Sequence, residues 1–161
     1  MPATDFDFLE GPWTIDNVLY RDGVETHFRG EHFGVVKHLG GLVNTDVCHF
    51  APPAPRAPFR GMSLRLLDPA TDEWSIYWID DATVSLSDPV RGAFEGTAGV
   101  FRGQPDPTDG TEWRFVWTGI DTATPHWEQG RSANGGATWT TDWTMDFSRR
   151  DAAAADDIDA V

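Results

Sequence analysis

Asp46, Tyr77 and Glu128 are the residues of this sequence best placed to do acid–base chemistry. Each lies in a run with strand character, and each could move a proton if it shared an enclosed space with a substrate. Structural pairing or solvation is the competing reading for all three. Arg65, between Leu64 and Leu66, and Arg114, between Trp113 and Phe115, are charges set among apolar neighbours. An inward-pointing arginine needs a partner, because an isolated buried charge costs several kcal/mol or more. An internal carboxylate such as Asp46 or Glu128 could supply it, and so could an anionic ligand. Strict alternation turns Arg114 away from the face of Trp113 and Phe115, toward solvent. Arg65 shares a face with Ser63 and Leu67, which leaves its direction open.

The five histidines show no His-x-His and no His-Glu-x-x-His spacing, so no metal site is expected. His27, His32 and His38 fall on different faces of one run, and could meet His49 or His126 only through the tertiary fold. No cofactor is implied; haem enters only through His126, beside Trp127, as a candidate axial ligand. The single cysteine, Cys48, excludes an internal disulfide and reads as a small buried hydrophobe. The sequence has no Gly-x-Ser-x-Gly, no phosphate loop and no dinucleotide fingerprint, which leaves hydrolase, kinase and dehydrogenase readings without support.

Aromatic residues form the other constellation. Alternation places Trp74, Ile76 and Trp78 on one face of a strand, and Trp113, Phe115 and Trp117 on one face of another. Trp139, Thr141, Trp143, Met145 and Phe147 form a third such face. Turned inward, these faces would line a cavity, with Arg65, Trp74, Trp78, Phe115, Trp117, Trp143 and Met145 as the expected ligand-binding residues. The alternative is that the rings fill the interior and leave no space.

The elements that must position these residues are strands. Short alternating runs are separated by turn chemistry, and no helix of several turns is expected. The expected strands are Trp13–Arg21, Glu25–Lys37, Leu42–Phe50, Arg60–Leu67, Trp74–Asp80, Val90–Glu95, Gly99–Gly103, Thr111–Thr118, Pro125–Ser132 and Thr138–Ser148. Asp22-Gly23 and Asn134-Gly135-Gly136 suit turns that need positive φ. The proline-rich connector from Ala51 to Pro58 cannot pair as a central strand. Near the start, Thr4 to Leu9 suits a single capped turn, with Phe6 and Leu9 plugging one end. Ten antiparallel strands with short connections predict a single closed up-and-down β-barrel, since closure removes unpaired edges. A two-layer sandwich is the alternative.

At 161 residues the chain suits one barrel domain over residues 1–150, followed by an acidic flexible tail over 151–161. Eight Trp and ten Phe offset a modest hydrophobic fraction of 40%. The formal net charge is -14, which disfavours nucleic acid and anionic membranes as partners. No run is long and apolar enough to span a membrane, and the start lacks a basic segment followed by an apolar one. The expected location is cytoplasmic.

The opening Asp7-Phe8-Leu9-Glu10-Gly11-Pro12-Trp13 resembles the Gly-x-Trp start of the lipocalin and fatty-acid-binding (calycin) superfamily. That resemblance implies a first-strand Trp closing one barrel end under a basic residue from beyond the last strand, here Trp13 with Arg149 or Arg150. The blocks Leu64–Thr71, Trp74–Trp78, Trp127-Glu128-Gln129 and Trp143–Phe147 are similar to those of an uncharacterised bacterial family of lipocalin-like barrels. This likeness implies fold but no particular reaction.

The functional expectation is binding of a small, largely apolar molecule inside the barrel. Two alternatives stand beside it. One is a cofactor-free cyclase or isomerase that folds a hydrophobic substrate in the same cavity. The other is a structural homodimer joined through the outer face carrying Tyr77 and Ile79.

Overall fold

A computed structural model describes residues 2–151. The chain forms eleven antiparallel strands: β1 (Trp13–Arg21), β2 (Val24–His32), β3 (Val36–His38), β4 (Val43–Phe50), β5 (Phe59–Asp68), β6 (Glu73–Asp80), β7 (Val90–Glu95), β8 (Ala98–Arg102), β9 (Glu112–Thr118), β10 (His126–Ser132) and β11 (Thr140–Arg149). From β4 to β11 each strand pairs with its successor, β11 pairs with β1, and β1 pairs with β2. The ring closes where Gly30, Glu31 and His32 of β2 meet Phe50, His49 and Cys48 of β4. The result is a closed ten-strand barrel with β3 attached outside the ring.

Closure depends on Gly30. A Cβ there would lie 2.9 Å from the His49 carbonyl oxygen and 3.0 Å from the Phe50 ring. Such crowding at a backbone oxygen would push the two strands apart. The sandwich alternative is therefore excluded by β2–β4 pairing, which joins the ends of the meander.

The strand expected over Glu25–Lys37 is two strands, β2 and β3, and the break has a local cause. Gly34 adopts φ +93°, and a Cβ on it would lie 3.0 Å from backbone atoms of Gly11. Only glycine meets both demands, so the chain bends where it crosses the N-terminal segment. The Phe33 N–H still donates to the Val47 carbonyl in register with the β2–β4 pairing, whereas the Val35 N–H donates to the Leu9 carbonyl of the N-terminal segment.

One end of the barrel is sealed. Phe6 and Leu9, beside the short 3-10 turn Asp7–Leu9, are fully buried among Trp13, Trp74, Phe101 and Phe147. The Phe6 ring meets Trp74 edge-on at 5.1 Å and Phe94 at 5.2 Å. Trp13 is 2% exposed, with the Arg149 guanidinium 3.7 Å above its ring. Arg149 also donates to the Phe8 and Glu10 carbonyls, tying the last strand to the plug. Arg150 lies instead over Phe33, at 5.2 Å. No helix among the described residues is long and apolar enough to cross a membrane. The tail expected over 151–161 lies, from residue 152 on, outside the described residues.

Candidate functional site: an aromatic cavity above a buried ion pair

The inner faces of the strands enclose a cavity of about 790 Å³. Its aromatic sides come from Trp78 of β6, Phe115 and Trp117 of β9, Trp127 of β10, and Trp143 and Phe147 of β11. These rings contact one another edge-on or tilted, Trp127 with Trp143 at 5.6 Å and Phe115 with Trp127 at 5.1 Å. The loops around Ser87–Pro89 and Gln104–Pro107 contribute further lining with the half-exposed Trp113. The alternation that built the aromatic faces in sequence thus leaves a hollow, and the interior is not packed solid.

The polar part of the cavity is a cluster on β2, β4 and β5. Period-two alternation brings His32, then Asn44, Asp46 and Cys48, then Ser63 and Arg65 to the inside. Arg65, 4% exposed, donates to Asp46 Oδ2 at 2.5 Å and to Asn44 Oδ1 at 3.0 Å. Its guanidinium also stands 4.4 Å over the Phe6 ring. His32 Nε2 lies 3.1 Å from the same Asp46 oxygen. The Gly34 N–H donates to His32 Nδ1 at 3.1 Å, so that nitrogen must carry a lone pair. The His32 proton therefore sits on Nε2, aimed at Asp46, and the ring is neutral in this arrangement.

Burial alone would push the Asp46 carboxyl up. The Arg65 guanidinium and the His32 hydrogen bond more than offset it and hold Asp46 well below the usual carboxylate range. Asp46 is thus an ionised partner of Arg65, and the cluster carries no net charge. Burial, with the Asp46 charge nearby, pushes the Cys48 thiol well up. His32, Asp46 and Cys48 place potential ligand atoms within 4.8 Å of one another. They make a poor cation site, since the His32 lone pair is taken by Gly34 and the Arg65 charge adjoins.

Of the expected ligand residues, Arg65, Trp78, Phe115, Trp117, Trp143 and Met145 line this cavity together. Trp74 does not; it packs on Phe6 in the sealed end and its indole donates to Asp5 at 3.0 Å. Among the acid–base candidates only Asp46 faces inward. Tyr77 and Glu128 stand on the outer faces of β6 and β10, because Trp78 and Trp127 beside them point in. Glu128 lies 3.5 Å from Arg114, also on the outside. His126 is likewise external, its Nδ1 2.7 Å from Asp146, so it does not face the cavity as a haem ligand would.

Trp139 leaves the aromatic face expected of it. Register shifts between Gln129 and Gly130, leaving Asp142 unmatched on β11. An extra residue reverses which side the following positions face. Trp139 accordingly packs outside, under the guanidiniums of Arg114 at 4.5 Å and Arg102 at 5.3 Å. Sequence reasoning also left His32, Trp127 and Gln129 out of the binding set. Alternation from Phe28 through Gly30 to His32 was the available signal for the first. Trp127 and Gln129 had a comparable one, flanking an outward Glu128.

No protein-family model matches the chain, and no curated protein matches it significantly. Among solved structures it is similar to the crystal structure of Rv2717c from M. tuberculosis, with a TM-score of 0.64 at 12% identity. The alignment covers 94% of this chain and 99% of that one. At that identity the likeness shows a shared barrel fold and nothing finer.

Proposed function

We propose that this protein binds a small, largely apolar molecule inside the barrel. The observation that carries the reading is the cavity itself, about 790 Å³ and sided by rings from four strands. That volume lies in the range of small-molecule sites, roughly 300–1,000 Å³. The Gly-x-Trp opening and the Arg149 cover on Trp13 support reading the barrel as lipocalin-like (calycin). An acid-initiated cyclase or isomerase would need a protonated group at the substrate, and neither the ionised Asp46 nor the external Tyr77 and Glu128 supplies one.

The test is native mass spectrometry of protein purified from its own host, paired with titration of the neutral dye Nile red. The expected result is a stoichiometric adduct removed by organic solvent, or blue-shifted Nile red emission saturating at one equivalent. A bare chain mass together with unshifted dye would overturn the reading.

One observation favours a second reading, a homodimer. Across the outer face of β4, β5 and β6, Val43, Leu66 and Ser75 form one row, Thr45, Leu64 and Tyr77 the next, and Val47, Met62 and Ile79 a third. None is charged, and exposed Leu39, Leu42 and Val36 border them. On a chain of net charge -14, an uncharged face is where a second copy can approach without like-charge contact. Sedimentation at micromolar concentration should give a dimer for the wild type and a monomer for Tyr77→Asp. A wild-type monomer refutes it.

A further inference from the structure

The hydrogen-bonding inventory of the cavity is lopsided, and the imbalance bears on what it accepts. Trp143 donates its indole proton to Asn17 at 3.0 Å, and Trp78 donates to Asp80 at 3.1 Å. The indole N–H groups of Trp113, Trp117 and Trp127 have no hydrogen-bond partner among the described residues, nor have the Ser63 hydroxyl and the Gln129 carboxamide. These five side chains all line the cavity. Three can only donate, and the other two can do so.

In the buried cluster the acceptors are spent, and the carboxylates of Asp88 and Asp106 stand apart from it on the rim loops. Asp46 Oδ2 takes both His32 and Arg65, and its Oδ1 takes the Ser63 N–H at 3.3 Å. The Asn44 carbonyl oxygen takes Arg65.

Charge points the same way. Arg65 could clamp a carboxylate only by giving up Asp46 or by holding two like charges side by side, each unfavourable in a buried site. At the rim Asp88 and Asp106 stand beside Arg91 and Arg102, Arg102 being paired with Glu112, so the case against an anion rests on Arg65 and on the repulsion it meets from a chain of net charge -14. The aromatic sides suit a flat ring system.

We infer that the cavity selects uncharged, planar, apolar molecules whose polar atoms are hydrogen-bond acceptors, such as ketone or ether oxygens, and rejects their carboxylates. This rests on the apolar-binder reading above and narrows it to a chemical class. Gln129 and Trp127 lie two residues apart on β10 with their side chains on the same face. Ser63, beside Asp46 on the β5 side, offers a separate anchor.

The experiment uses three probes on one tricyclic frame: 9-fluorenone, fluorene and fluorene-9-carboxylate. Each is equilibrated by dialysis against the full chain, and bound probe is measured by chromatography. Fluorenone is expected to bind about tenfold more tightly than either of the others, the effect of one or two net hydrogen bonds. Gln129→Leu, and separately Ser63→Ala, is made with folding checked by circular dichroism. At least one of them should shrink the roughly tenfold preference for fluorenone over fluorene toward one. Equal binding of fluorenone and fluorene overturns the acceptor preference but leaves the apolar binder standing. Tightest binding of the carboxylate overturns the charge argument. Failure of all three to bind counts against the binder reading itself.

Discussion

Removing the Asp46 carboxylate would leave the Arg65 guanidinium in the barrel interior at 4% exposure. Only the Asn44 hydrogen bond at 3.0 Å and the Phe6 ring would remain to it. His32 would lose the acceptor for its Nε2 proton. Breaking a buried pair from one side costs about 3–5 kcal/mol, most of it the exposure of the remaining charge to a low dielectric. For a chain of this length each kcal/mol lowers Tm by roughly 2–4 °C. Asp46→Ala should therefore lower Tm by about 6–20 °C, with a matching loss in urea unfolding followed by far-UV circular dichroism. The cost comes chiefly from the orphaned guanidinium, so the same substitution in an Arg65→Met background should cost distinctly less. The pH dependence has a definite sign. Asp46 titrates below its ordinary value of 3.8 in the folded chain, so the unfolded chain binds that proton more readily. The stabilisation is complete above about pH 4 to 5 and drains away as pH falls through 3.8 toward the folded value. The stability gap between wild type and Asp46→Asn should narrow over that interval. A loss below about 1 kcal/mol for Asp46→Ala, an equal loss in the Arg65→Met background, or a gap that widens on acidification would refute this account.

Two further perturbations probe the frame around the site. Trp13→Ala should cost about 3–5 kcal/mol, the usual penalty for truncating a buried Trp, and a loss near 0.5 kcal/mol in urea unfolding would show that Trp13 does not close the barrel. A Cβ on Gly92 would lie 1.9 Å from the Val100 carbonyl oxygen, whereas one on Gly61 would meet the Trp78 ring at 2.0 Å. Backbone yields less readily than the end of a side chain, so Gly92→Ala should lose about 1–3 kcal/mol or more and Gly61→Ala less. Gly61→Ala should instead alter Nile red uptake by displacing Trp78 from the cavity, and the reverse ranking would contradict this assignment.

Period-two alternation acts locally, so it was legible in the sequence wherever a strand ran unbroken. It correctly put Trp78 beside Ile76 on the inner face, set Phe115 with Trp117, and turned Arg114 outward. The turns at Asp22-Gly23 and Asn134–Gly136 and the plug at Phe6 and Leu9 were legible for the same reason, since backbone preference and side-chain type are written residue by residue.

Three outcomes needed the folded chain. Arg65 is inward because Asp46 and Asn44, about twenty positions away, sit across the ladder from it, and no local pattern states that register. Trp139 is outside because one unmatched residue on β11 reverses the side, a property of a strand pair and not of either strand. The break between β2 and β3 arises where Gly34 crosses Gly11. By itself, then, the sequence determined a closed antiparallel barrel rich in inward aromatic rings. Which charges met inside it, and that the rings left a hollow above a neutralised ion pair, was decided by long-range register, because the energy of a buried charge depends on partners that only closure brings within reach.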